Sequence, residues 1–199
     1  MKIGIDARFY GSIGKGLGRY TSELISHLEK IDRENDYLIF LRRENFDDYR
    51  PSNPRFVKVL AEFPWYSWRE QLIYPLWLRK FRMDLMHFPH FNVPLLYRRP
   101  FLVTVHDLIL LSHPTPRATT LGPLLYRIKY AAYRLVIGRA IKDARTVISV
   151  SLSTKKEIEK VFPFAKNKDI TVTYEACGTP FTGVSERRRG GEAEKLSKP

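Results

Sequence analysis

Short apolar runs with the two-residue alternation of strands recur along this chain. Between them lie stretches in which apolar residues return every three to four positions. That switching of period is the strongest constraint on the fold. Strand and helix in alternation with short connections predict an α/β domain built on a doubly wound parallel sheet. Strands are expected at 2–7, 37–41, 56–60, 83–88, 101–105, 146–150 and 170–174. A first helix is expected at 17–31, with Leu17, Tyr20, Leu24, Leu28 and Ile31 in one stripe. Others are expected at 65–81, interrupted by Pro75, and at 121–142, after a loop carrying Pro114 and Pro116. A capping box, Thr154-Lys-Lys-Glu157, opens a last one. Ligands of such sheets sit beyond the carboxyl ends of the strands, so the residues just after each strand become the candidates.

Hydrophobic residues make up 44% of the 199, enough for a core, which excludes disorder throughout. The periodic pattern ends near residue 181, and 182–199 reads as a polar, disordered tail. The single cysteine, Cys177, allows no intrachain disulfide and fits a buried thiol in a reducing compartment. The first residues lack the apolar run of a signal peptide, and no uncharged apolar stretch reaches the roughly 18 residues of a membrane span. A cytoplasmic location is expected. Lys and Arg number 34 against 21 Asp and Glu, a net charge of +13. Such an excess favours a polyanionic neighbour: nucleic acid, an anionic membrane face or a phosphorylated ligand. No helix-turn-helix or aromatic binding motif supports nucleic acid, and no nucleic-acid partner is expected.

Four constellations fall at strand ends. Gly11-Ser-Ile-Gly14-Lys-Gly16-Leu-Gly18-Arg19 joins the first strand to the first helix. Glycines admit close backbone approach, and a helix start offers free N–H groups to an anion. The segment matches neither GxxxxGK[ST] nor GxGxxG, because Gly16 follows Lys15 and Thr21 stands where a third glycine belongs. A ligand cradle and a purely structural turn both fit it. His106-Asp107 follows the strand at 101–105. The histidine suits donation to a sugar hydroxyl or phosphate, with Asp107 fixing its tautomer or the loop. His87-Phe-Pro-His90 precedes Asn92 and Pro94. Four histidines between 87 and 113 invite a metal, yet no Cys or Glu stands at matching spacing; no metal is expected, and His90 is read as the rim of an acceptor pocket. The fourth, 63–82, holds all three tryptophans, followed by Arg79, Lys80 and Arg82. Rings beside cations suit an anionic membrane interface, and equally a helix packed on the sheet. Arg127, Lys129, Arg134, Arg139 and Lys142 extend the basic surface.

Together, IGIDARFYGSIGKGLGRYTSEL, DLMHFPHFNVP, FLVTVHDLILL and TVISVSLSTKKEI, in this order, resemble the N-terminal domain of family-4 retaining glycosyltransferases. The resemblance covers 1–181 and implies a Rossmann-like half of a two-domain GT-B enzyme. It further implies sugar transfer from a nucleotide-sugar co-substrate to a glycan or lipid-linked acceptor, with no other cofactor. Carried over residue by residue, it places Gly14, Gly16 and Gly18 at the cleft, and Arg19 beside them is read as a further substrate-binding candidate. It places His106 near the transferred sugar, with Asp107 read as its catalytic companion, and Ser149 and Ser151 at a helix start on the same edge. In the family a C-terminal domain holds the donor through a Glu-x7-Glu motif. Glu186 and Glu194 share that spacing but lie in the polar tail. A truncated gene product, a fragment, and a half that pairs with a separate donor-binding chain all fit. A non-catalytic half that only docks such a chain is the alternative.

Overall fold

The computed structural model describes residues 1–112 and 123–175, the side chains of 123 and 124 excepted. The boundary expected at 181/182, the tail with Glu186 and Glu194, Cys177, His113, Pro114, Pro116 and the start of the helix expected at 121 lie outside them. Seven parallel strands form one sheet: β1 (Lys2–Asp6), β2 (Asp36–Leu41), β3 (Phe56–Leu60), β4 (Leu85–Phe88), β5 (Phe101–Val105), β6 (Thr146–Ser149) and β7 (Ile170–Val172). Each lies within two residues of its expected bounds. The order is β3-β2-β1-β4-β5-β6-β7. Strands are added outward from β1 to β3, and β4 then returns to pair with the other side of β1. Chain direction across the sheet therefore reverses at β1/β4, where open α/β sheets leave a crevice. This is the expected Rossmann-like α/β fold.

Alternation along β2 shows that both faces are covered. Tyr37, Ile39 and Leu41 join Ile5 and Ile25 in one cluster, with Ile25 supplied by α1 (Lys15–Ile31). Phe40 points the other way, into a larger cluster. That cluster also holds Tyr74 and Leu78 of α3 (Tyr74–Leu78), Ile137 and Ile141 of α5 (Pro123–Asp143), and Ile158 of α6 (Leu152–Val161). Each fully buried aliphatic side chain contributes roughly 1.5–3 kcal/mol.

Three helices differ from expectation. The buried seam of α1 is Gly18, Thr21, Ile25 and Glu29, whereas Ile31 of the expected stripe is 73% exposed. The seam is viable because its first members are small. Glu29 is satisfied there by the Tyr49 hydroxyl and by the N–H and hydroxyl of Ser52. The aromatic segment forms two short helices, α2 (Trp68–Leu72) and α3, closed by a 3-10 turn at Arg79–Phe81. Pro75 takes the first turn of α3, where a missing N–H breaks no helical bond. In α6 the cap is Ser151, not Thr154: its hydroxyl accepts the Thr154 N–H at 3.0 Å, and the helix starts one turn earlier. Glu157 instead accepts from the hydroxyl of Ser112, at the end of the short α4 (Ile109–Ser112).

The glycine-rich segment folds as a 3-10 turn, Gly11–Gly14, running directly into α1. A Cβ at Gly18 would lie 2.0 Å from the Gly11 carbonyl oxygen and 2.4 Å from that of Phe9, and one at Gly14 would lie 2.0 Å from the Phe9 oxygen. At Gly16 a Cβ would meet nothing within 4 Å. Gly18→Ala is therefore expected to lose about 2–3 kcal/mol in urea unfolding, since backbone rather than a flexible side chain must yield. Gly16→Ala should stay within about 0.5 kcal/mol of the parent or exceed it.

Candidate functional site

β1 ends in Asp6, and the chain turns at once through Ala7 and Arg8. Arg8 is only 1% exposed. Its Nε and Nη2 donate to the two oxygens of Asp6 at 2.8 and 2.7 Å, Nη1 to the Phe63 carbonyl at 2.9 Å, and Nη2 also to Glu70 Oε1 at 2.7 Å. Glu70, on α2 and fully buried, accepts through Oε2 from the Tyr66 N–H and from Asn92 Nδ2. Burial opposes the charge on Arg8, but Asp6, Tyr74 and Glu70 together outweigh it and hold the guanidinium above its ordinary range. Burial likewise pushes the Glu70 carboxyl up, against the pull of Arg8 and Asn92. Asn45, after β2, ties down the same turn by donating to the carbonyls of Ala7, Arg8 and Tyr10.

Above this network, at the β1/β4 junction, lies a shallow crevice lined by Asp6, Phe9, Phe88, Pro89, His90 and Asn92. Phe9 stacks on Trp65 with centroids 4.2 Å apart and 6° between planes, and the Arg42 guanidinium covers the far face of that pair at 4.7 Å. His90 lies between Phe9 and Phe91, and its Nδ1 accepts the Asn92 N–H at 3.3 Å. Burial, then the nearby His106, lowers the His90 pKa to about 3.

The next strand ends supply the second cluster. His87 on β4 faces Thr104 on β5, Nε2 to Oγ1 at 2.9 Å, and Tyr20 of α1 reaches the same hydroxyl at 3.4 Å. Tyr20 also meets the His106 ring edge-on, with centroids 4.7 Å apart. His106 Nε2 contacts the Pro89 carbonyl at 2.9 Å and Nδ1 contacts Glu175 Oε1 at 3.0 Å. The His106 carbonyl accepts from Thr154 Oγ1 at 3.1 Å. The α1 helix, through Tyr20, and the helix that Ser151 caps, through Thr154, thus both reach His106.

Other expected residues stand further back. Asp107 does not touch His106; its Oδ1 accepts the Ile109 N–H at 3.0 Å, so it shapes the loop. Ser149 is buried and its hydroxyl bonds the Ser151 carbonyl. Gly14 and Gly18 face the chain's own backbone, whereas Gly16 and Arg19 are exposed. Among the described residues, no three His, Cys, Asp or Glu side chains converge as a metal would require. Sequence reasoning gave no role to Arg8, Glu70 or Glu175, and named Asn92 only as following His90. The one available signal was a charge pair, Asp-Ala-Arg, closing an otherwise apolar strand.

The Glycosyltransferase Family 4 model matches residues 14–176. This chain belongs to glycosyltransferase family 4. Among curated proteins no match is found. A solved structure it is similar to is Anabaena Alr3699/HepE in complex with UDP and glucose, at 15% identity and TM-score 0.47, covering 96% of this chain and 50% of that one. The family 4 chain described here spans about half the length of that protein.

His87 gives this family 4 site a measurable signature. Burial, then the charge of His106, lowers its pKa from 6.5 to about 4. The unfolded chain binds the proton first, so stability is complete above about pH 6.5 and falls as pH drops toward 4, by about 3 kcal/mol. In urea unfolding between pH 7 and 4, His87→Gln should remove nearly one proton from that slope. An unchanged slope would mean that His87 is not held neutral.

Proposed function

We propose that this chain is the acceptor-side half of a retaining glycosyltransferase. The observation that carries this reading is the contact, in a family 4 chain, of Tyr20 near the α1 start with His106, whose ring also bonds the carbonyl of Pro89 in the crevice lining where the strand order reverses. In the proposed reaction the bond from the anomeric carbon to the donor phosphate breaks, and a bond from that carbon to an acceptor oxygen forms. The acceptor's hydroxyl proton leaves with the departing nucleotide. The open backbone at Gly16, at the N-terminus of a 17-residue helix, suits the donor phosphates. His106 sits where a charged ring and fixed dipoles stabilise developing charge, so the chemistry is positional and electrostatic. A separate donor-binding domain supplies the nucleotide-sugar as co-substrate, and no resident cofactor is called for.

The test combines binding and turnover. Acceptor glycans and lipid-linked sugars titrated into the labelled chain should shift the amides of Gly16, Tyr20 and His106. Wherever UDP- or GDP-sugar transfer is measurable, His106→Ala should reduce it at least about 100-fold. Acceptor shifts confined to other surfaces, or transfer untouched by His106→Ala, would overturn the reading. Tight UDP-sugar binding by the chain alone would overturn its acceptor-side part.

We also propose that this half works at an anionic, cytoplasmic membrane face. No described helix is long and apolar enough to cross a membrane. Trp68, Leu72 and Leu76 stand 66%, 49% and 55% exposed on α2 and α3, beside exposed Arg69, Arg79 and Lys80. Rings and aliphatic chains flanked by cations favour the headgroup boundary. Co-sedimentation with anionic vesicles at low salt should be strong, weaker on zwitterionic vesicles, and several-fold reduced by Trp68→Ala with Leu72→Ser. Equal sedimentation of parent and variant would remove this part.

A further inference from the structure

His106 is held by groups from four parts of the fold. The Pro89 carbonyl follows β4, Tyr20 comes from α1, Thr154 from α6, and Glu175 from the stretch just past β7. Among the described residues, only Glu175 brings a carboxylate to the ring. Its carboxylate stands 3.0 Å from Nδ1 while Nε2 is 2.9 Å from the Pro89 oxygen. Both ring nitrogens therefore face acceptors. A neutral imidazole has one N–H, so one of these contacts would set lone pair against lone pair; the imidazolium satisfies both. His87 and His90, whose own charge is opposed by His106, are held neutral by burial, which leaves Glu175 as the counter-charge.

The position of Glu175 gives the contact its meaning. The sheet ladder is still intact at Thr173, whose N–H bonds the Ser149 carbonyl at 2.9 Å. Two residues later the chain has left the sheet, and there Glu175 reaches across 69 residues of sequence to His106. His106, on which these four parts of the fold converge, is thus tied to the point where the chain departs from β7.

We propose that Glu175 is a positioning residue for His106: its carboxylate holds the ring doubly protonated and fixes its orientation to the path of the chain beyond β7. The functional weight of this contact rests on the glycosyl-transfer reading of His106; the contact itself does not. Glu175 acts only through the imidazole and is not a catalytic residue. Without the carboxylate, the Pro89 oxygen alone selects the neutral ring protonated at Nε2, and Nδ1 becomes an acceptor free of any partner charge.

The ring nitrogens report this directly. Long-range 1H–15N spectra of the labelled 199-residue chain at neutral pH, assigned with His106→Gln, should show both nitrogens of His106 protonated. In Glu175→Gln the Nδ1 proton should be lost and Nε2 retained. Glu175→Asp, which keeps the charge, should restore the Nδ1 signal in part. Glu175 is half exposed, so these variants are expected to fold, and unchanged amide dispersion checks that they do. A parent ring with bare Nδ1, or a Glu175→Gln ring identical to the parent, overturns the proposal. Because no turnover is needed, an inactive chain would count against the proposed function and leave this inference standing. In an active preparation, Glu175→Gln should lower kcat and leave the donor KM unchanged, whereas a loss of folded protein would lower neither per active molecule.

Discussion

Arg8 joins pieces of chain that no single element brings together. Its guanidinium spans Asp6 at the end of β1, the Phe63 carbonyl beyond β3 and Glu70 on α2, and Glu70 in turn holds Asn92 beyond β4. Three strand ends are thereby pinned across the β1/β4 reversal, where backbone pairing alone fixes strand register but not the loops. Two carboxylates share one buried cation; burial drives Glu70 upward against the pull of Arg8, while Arg8 stays charged. Such a cluster is weak evidence for net stability. Removing one member, however, costs about 3–5 kcal/mol, because the others are left buried and unmatched. The Tyr74 ring lies 4.3 Å below the guanidinium, with its hydroxyl unpaired among the described residues. That arrangement offers the cation a face of electrons and no competing donor.

From this anchor the geometry reaches the candidate site through contiguous contacts. Asn92 is held by Glu70 and its N–H fixes His90; the loop that carries His90 also presents the Pro89 carbonyl to His106. Tyr66, whose N–H bonds Glu70, has φ 57°, a conformation unusual for a residue with a side chain. The network sustains that strain, and with it the Phe9–Trp65 stack that walls the crevice. Rigid support of this kind is what the proposed positional mechanism needs, since small displacements erode it steeply.

Periodicity made the sheet legible. Every strand was within two residues, and the strand-end rule led to His106, His90 and the α1 start. Boundaries inside helices were less so, for local reasons. Ile31 belongs to the periodic stripe by spacing but lies at a helix end with nothing above it, and Thr154 has capping chemistry yet Ser151, three residues earlier, takes the position. The decisive polar contacts were not legible at all. Arg8 and Glu70 are 62 residues apart and His106 and Glu175 are 69 apart. Neither pair leaves a local pattern, because the partners meet only once the sheet is assembled. Asp107 was the natural partner for His106 by adjacency, but neighbours on an extended chain point apart.

The glycine-rich segment shows how one motif divides between folding and ligand approach. Gly14 and Gly18 are demanded by the carbonyls of Phe9 and Gly11, which pass so close that any side chain would collide. They build the sharp return that sets the α1 start against the carboxyl end of β1. Gly16 has no such neighbour, and its open space faces outward from the first turn of α1. Lys15, between them, adopts φ 51° and ψ −127°, a conformation that favours glycine. Strain held by a tight turn at a helix start is more often retained where a backbone must face a ligand than where it only reverses direction. If this segment meets an anion, the contact belongs to the main chain around Lys15 and Gly16, while its other glycines act one step earlier, by making that backbone available.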